Sequence, residues 1–315
     1  MIHGISTSCQ TLGPLAHELV NRFGCRVMLF DLFGRGFSDT PSDLPHDARL
    51  YTTQALLALA SSPLAWTGSA ARLRVVGYSM GGGVAIHLAN TLPDLVDSLV
   101  LLAPAGVIRP EKFGVISRLI FTAGLVPERV LAELTRRRLA KPIAAAVKRR
   151  TSGTSTPIPP ATPSAADVKI DEATHLLHAH RDPIDAAIAE ASSSDPSPPL
   201  EQRVLRYVQW MVTHHPGFVP AFMSCIRHAP LLGQEEAFAG LASRRPGSTA
   251  IILGRTDEIV DPDEYEVDAL PLVGGKDAVF WRVISGSHDF PMTHTADMIA
   301  QIDEFWRQDG ATTSS

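Results

Sequence analysis

The sequence predicts an α/β fold: a mostly parallel, doubly wound sheet that carries a helical insertion. Three observations predict it. Five short runs are nearly continuous in Val, Ile, Leu and Phe, which is the character of strands covered on both faces. Segments with helical periodicity lie between these runs, so strand and helix alternate. From about Gly106 to His228 the alternation stops, and only helical patterns occur.

In chain order, a helix over Leu12–Arg22 leads to a strand at Arg26–Phe30, and a second helix covers Thr52–Ala60. The strand Leu73–Val76 is followed by a helix over Met80–Thr91 and a strand at Ser98–Leu102. The middle region has helical segments at Ile116–Leu134 and Leu200–Thr213. Low-complexity stretches at 151–166 (TSGTSTPIPPATPSAA) and 191–199 (ASSSDPSPP) interrupt it, too rich in Pro, Ser and Thr to bury an ordering amount of surface. A helix over Gln234–Ala242, strands at Thr249–Leu253 and Val279–Ile284, and a helix over Thr295–Arg307 complete the pattern before a polar tail. The expected organisation is a core of residues 1–105 and 230–315, with a helical cap insertion over 106–229.

Composition removes several function classes. The 315 residues are 45% hydrophobic, as in an ordinary globular protein. Lys and Arg number 28 against 33 Asp and Glu, a net charge of −5, so no global basic field holds nucleic acid or an anionic membrane. Cys9, Cys25 and Cys225 are too few and too scattered for a disulfide framework or a zinc site, and they fit a reducing compartment. No apolar run reaches the roughly 18–20 residues of a membrane span. The segment MIHGISTSCQ lacks the basic and apolar regions of a signal peptide. The expectation is a cytoplasmic protein whose partner is a small molecule, with no nucleic acid and no membrane span.

The chemistry-bearing motif is Gly77-Tyr78-Ser79-Met80-Gly81, with a strand before it and a helix after it. In that context the turn lifts the serine hydroxyl clear of the sheet. Small residues are needed two before and two after the serine, because strand and helix backbones nearly touch there. The helix N-terminus also points free N–H groups at developing negative charge. The adjoining Gly81-Gly82-Gly83 is no phosphate loop, since no Lys-Ser/Thr follows it.

With these features the chain resembles the α/β-hydrolase superfamily, of the serine-nucleophile, capped type. The blocks that carry the resemblance occur in the family's order: His3-Gly4-Ile5, Asp31-Leu32-Phe33-Gly34-Arg35-Gly36-Phe37-Ser38, the GYSMGGG elbow, Gly254-Arg255-Thr256-Asp257 and Gly286-Ser287-His288. The resemblance implies a Ser-His-Asp triad. A serine hydroxyl needs an adjacent base. Of twelve histidines, His288 lies in a glycine-flanked loop beyond the last strand, a better position than that of His294. Asp257, at a strand end, would orient the imidazole; its other reading is a helix N-cap, in a loop shared with Glu258, Asp261 and Asp263. The backbone N–H groups of Met80 and Ile5 would form the oxyanion hole, each donor typically worth about 10²–10³ in rate. No cofactor or metal is required.

The resemblance implies cleavage of an ester, with an amide or a carbon–carbon bond next to a ketone open on the same residues, or a low-turnover binding protein on the same scaffold. Epoxide hydrolase and dehalogenase branches place an aspartate where this chain has Ser79. Apolar residues of the insertion, among them Phe113, Phe121, Trp210, Met211 and Phe222, are mostly packing residues, and those that face the serine imply an apolar acyl or aromatic substrate group. His175, His178 and His180 read as a solvated helix face rather than a metal cluster. The family sheet has eight strands, with the His-Gly segment after the third. Here His3 is the third residue, so the first two strands are expected to be missing and the third to be a stub. The corresponding expectation is a chain truncated by about 20–40 residues of strand pattern.

Overall fold

The computed structural model describes residues 1–66, 73–110, 126–139 and 200–312. The low-complexity stretches at 151–166 and 191–199, the histidines His175 to His180, and the first part of the expected Ile116–Leu134 helix lie outside the described residues.

Helix α1 (Gly13–Phe23) has Pro14 in its first turn and ends on Gly24 at φ 58°, a left-handed stop that glycine adopts at little cost. Helix α2 (Ala48–Ser61) starts earlier than its apolar periodicity indicated, because the Asp47 side chain accepts from the Leu50 N–H and caps it. Strand β1 (Leu73–Tyr78) leads through Ser79 into α3 (Met80–Thr91), followed by β2 (Val96–Leu102). Between β2 and β3 the described residues contain α4 (Glu128–Leu139), α5 (Leu200–His214) and α6 (Phe218–His228), and no strand. Then come α7 (Glu235–Gly240), β3 (Thr249–Gly254), α8 (Pro262–Asp268), β4 (Phe280–Ile284), α9 (Phe290–Thr293) and α10 (Thr295–Thr312). The expected Gln234–Ala242 helix is thus α7 plus a 3₁₀ turn over Leu241–Ser243.

The described strands form one parallel sheet in the order β1-β2-β3-β4. Every residue of β3 is buried, which is why its sequence is continuously apolar. Helix α3 packs on β1 and β2 with α2 and α7 against it, and α10 packs on β3 and β4 with α1 beside it. At the centre, Leu99 to Leu102 of β2 are fully buried.

One expected strand, Arg26–Phe30, does not form. The segment is only partly buried and makes no ladder. Its amide and carbonyl groups need a neighbouring strand, and among the described residues the one isolated bridge to β1 is Ile2 to Gly77. Ile2 donates to the Val76 carbonyl at 2.8 Å and accepts from the Tyr78 N–H at 2.9 Å, while the Met1 amine donates to the Met28 carbonyl at 2.8 Å. Further along, the segment and β1 are separated by a cavity of about 490 Å³, lined by Met1, Val27, Phe30, Leu73 and Val75 among others. A strand is a property of a pair, and the described residues provide none across that space.

Candidate active site

Ser79 sits where β1 ends and α3 begins, at φ 55° and ψ −123°. A non-glycine residue in such a region stores strain of about 1–3 kcal/mol, held by the surrounding structure. Here the hold is backbone: the Ser79 N–H donates to Leu102 at 2.9 Å, and the Ser79 carbonyl accepts from Gly82 at 2.8 Å and Ala105 at 2.9 Å. The flanking glycines are sterically required. A Cβ on Gly77 would lie 2.5 Å from the Gly81 carbonyl oxygen, and one on Gly81 would overlap the carbonyls of Ile2 and His3.

Two loops beyond strand ends complete the arrangement. His288 lies after β4 and Asp257 after β3, and both are buried. His288 Nε2 is 2.9 Å from Ser79 Oγ, and His288 Nδ1 is 2.8 Å from Asp257 Oδ2. A carboxylate only accepts, so Nδ1 carries the proton and Nε2 is free to accept from the serine hydroxyl. The other carboxylate oxygen, Asp257 Oδ1, accepts from the N–H groups of Ile259 and Val260 at 2.9 and 2.8 Å. Helix α8 is capped by Asp261 instead, whose side chain accepts from Asp263 and Glu264. His294 is not a member of this chain of bonds; its Nδ1 is 2.9 Å from the Thr293 hydroxyl.

The His3–Ile5 loop lies against the serine, since a Cβ on Gly4 would be 3.4 Å from Ser79 Cβ. Among the described residues, neither the Met80 nor the Ile5 N–H has a hydrogen-bond partner. The sequence-expected residues Ser79, Asp257, His288, Met80 and Ile5 are therefore brought to one place.

Sequence reasoning passed over Tyr78, the variable position inside the elbow motif. Its hydroxyl donates to the His288 carbonyl at 2.9 Å. Burial, with Asp289 and Asp257 nearby, pushes its pKa well above that of an ordinary tyrosine, so it remains a donor. His3 was also passed over as a side chain. Its Nε2 accepts from the Leu32 N–H at 2.9 Å, which leaves Nδ1–H to donate to the Gly4 carbonyl at 2.9 Å. Burial lowers its pKa to about 4, keeping it neutral. Asp31 ties its own loop together: Oδ1 accepts from the Cys9 N–H and Oδ2 from the Phe37 N–H.

A sequence model described as the alpha/beta hydrolase fold matches residues 1–295. The chain belongs to the alpha/beta hydrolase family. Within it, the chain is 30% identical over 154 residues to the sn-1-specific diacylglycerol lipase ABHD11 of Mus musculus, covering 47% of this chain and 46% of that protein. It is 36% identical over 105 residues to Lipase LipV of Mycobacterium tuberculosis, covering 33% of this chain and 36% of that protein. The chain thus spans less than half the length of the curated relatives it matches. Among solved structures, the enol-lactonase from Burkholderia xenovorans LB400 superposes with a TM-score of 0.58 at 16% identity, covering 97% of this chain and 89% of that chain, a likeness of fold. No described helix of this hydrolase-fold chain is long and apolar enough to cross a membrane.

Proposed function

We propose that this hydrolase-fold chain is a serine hydrolase that cleaves the ester bond of a small apolar substrate through an acyl-enzyme. The observation that carries the proposal is the unbroken chain of contacts from Ser79 Oγ to His288 at 2.9 Å and from His288 to Asp257 at 2.8 Å, with the serine held at a positive φ. Ser79 attacks the carbonyl carbon while His288 Nε2 takes its proton. The developing oxyanion is held by the N–H groups of Met80 and Ile5. His288 returns the proton to the leaving alkoxide, and water repeats the sequence to release the acid. Asp257 holds the imidazole in the accepting tautomer and stabilises it when charged. These steps need no metal or cofactor.

Residues 106–229 are proposed as the cap over this site. The placement of α4, α5 and α6 between β2 and β3 supports it, as does the packing of α6 against both α4 and α5. Of the apolar residues expected there, Met211, Phe218, Phe222 and Met223 are buried, so they serve packing, and Trp210 is only partly buried. Names of relatives that are lipases favour an ester over an amide.

The test is labelling by a fluorophosphonate probe beside a Ser79→Ala control, followed by turnover of p-nitrophenyl esters and anilides of matched acyl groups. The expected result is labelling of the wild type alone and faster cleavage of esters. A folded wild type that does not label sinks the proposal.

A further inference from the structure

Arg35 is the largest fully buried side chain of the described residues, and its guanidinium has no carboxylate partner among them. Each of its nitrogens is nonetheless used. Nε donates to the Ile5 carbonyl at 2.8 Å, Nη1 to the Tyr51 hydroxyl at 2.7 Å and the Phe33 carbonyl at 3.1 Å, and Nη2 to the Cys225 sulfur at 3.2 Å. An arginine side chain stays charged in proteins; burial works against the charge, and the hydrogen bonds to Cys225 and Tyr51 favour it. Burying a cation among neutral acceptors is costly, and packing alone is served as well or better by an apolar side chain of similar volume.

What distinguishes the site is where Nε points. Ile5 contributes one of the two proposed oxyanion N–H groups. The peptide plane before its Cα is held through the Gly4 carbonyl by His3 Nδ1–H. The plane after it is held through the Ile5 carbonyl by Arg35 Nε. Both soft torsions of Ile5 are thereby pinned, and with them the direction of its N–H. Both anchors tie back to the Asp31–Ser38 segment, since Arg35 lies in it and His3 is itself held by its Leu32 N–H. Arg35 reaches further than His3. Its Nη2 contact is to a sulfur on α6, 190 residues along the chain, and its Nη1 contact is to a hydroxyl on α2. The seating of α6 is thus linked through one planar group to the backbone beside Ser79.

We propose that Arg35 is a positioning residue that aims the Ile5 N–H at the oxyanion and couples that aim to the seating of helix α6. This rests on the hydrolase reading above. Arg35 touches neither substrate nor reacting atoms. It acts through the Ile5 peptide, so its loss affects the transition state more than the bound substrate.

The test uses the full chain and the ester found for the wild type. Arg35→Lys retains the charge but lacks the planar fork, and Arg35→Met removes both. Misplacing a reacting or stabilising group by about 1 Å costs on the order of 10²-fold in rate, so kcat is expected to fall by about 10–100-fold in Arg35→Lys, with KM nearly unchanged. Affinity for a trifluoromethyl ketone, whose adduct with Ser79 carries the oxyanion, falls by the same factor as kcat/KM. Tyr51→Phe, which leaves the Nε bond in place and removes one partner of Nη1, shows a smaller loss of the same kind. Should Arg35→Met fail to fold, Arg35→Lys and Tyr51→Phe decide.

A folded Arg35→Lys with wild-type kcat overturns the proposal. So does a loss confined to KM, or unchanged affinity for the trifluoromethyl ketone. A wild type that neither labels nor turns over is the failure of the hydrolase reading, visible before any variant is made, and it removes this inference as well.

Discussion

The bonds of Asp257 decide the state of His288 two steps from the serine. Asp257 Oδ1 accepts two backbone N–H groups and Oδ2 accepts the imidazole N–H. An asparagine there would keep its carbonyl oxygen on the Ile259 and Val260 N–H groups and turn its NH₂ toward His288. The imidazole would then have to accept at Nδ1 and carry its proton on Nε2, where it can no longer accept from Ser79. Asp257→Asn is therefore expected to lower kcat on an ester by about 10³–10⁴-fold with the fold intact. Steady-state kinetics beside circular dichroism checks this, and a loss of less than tenfold would contradict the orienting role. At this scale the sequence was informative about Ser79, Asp257 and His288, because each follows a strand-like run in the family's order. The contacts of Tyr78 and Arg35 with the site were not legible, since their partners are the carbonyls of His288 and Ile5, known only from the folded arrangement.

The strand–turn–helix element around Ser79 is limited by how closely backbones approach. Inside α3, alanine is normally favoured over glycine by about 1 kcal/mol on helix propensity alone. At Gly81 a Cβ would instead run into the carbonyls of Ile2 and His3, which are backbone and do not yield as a flexible side chain does. Gly81→Ala is thus expected to destabilise by about 1–3 kcal/mol, the range of overpacked sites. Gly13 begins α1 at φ −56° with nothing within 4 Å of a built Cβ. Gly13→Ala is expected to stabilise by about 0.4–1 kcal/mol through the unfolded chain. Urea midpoints of the two variants test the contrast, and equal signs would refute the steric account. The same scale explains the missing strand: Arg26–Phe30 has strand composition, yet ladder formation depends on a neighbour that its own residues do not encode.

For the whole molecule, buried neutral histidines set a pH dependence of stability. His3 and His46 are both buried, and burial lowers each from 6.5 to about 4, with the Arg35 charge adding to the effect at His46. In the unfolded chain both protonate near 6.5, so between about pH 6.5 and 4 the unfolded state binds more protons than the native state. Stability is then greatest above the unfolded value and is lost as pH falls toward the folded value. The urea midpoint is expected to drop between pH 7 and pH 4.5. His46→Gln should flatten part of that slope, because it replaces one of the two titrating imidazoles with a side chain that does not ionise. A midpoint independent of pH over this window would show that the histidines are solvated in the native state.

The sequence by itself determined the parallel α/β pattern, the helices α1, α3 and α10 to within a few residues, and the elbow with its serine. Those features rest on local physics: continuous apolar runs for strands covered on both faces, 3.6-residue periodicity, and small residues where strand and helix nearly touch. Only the tertiary structure put the side chains of His288 and Asp257 2.8 Å apart and set Asp261 as the cap of α8. It also decided that Arg26–Phe30 stays unpaired, and that Arg35 bridges Ile5 and Cys225. Each of these depends on groups brought together from distant parts of the chain, and a directed hydrogen bond is settled by the position of its partner rather than by the composition around its donor.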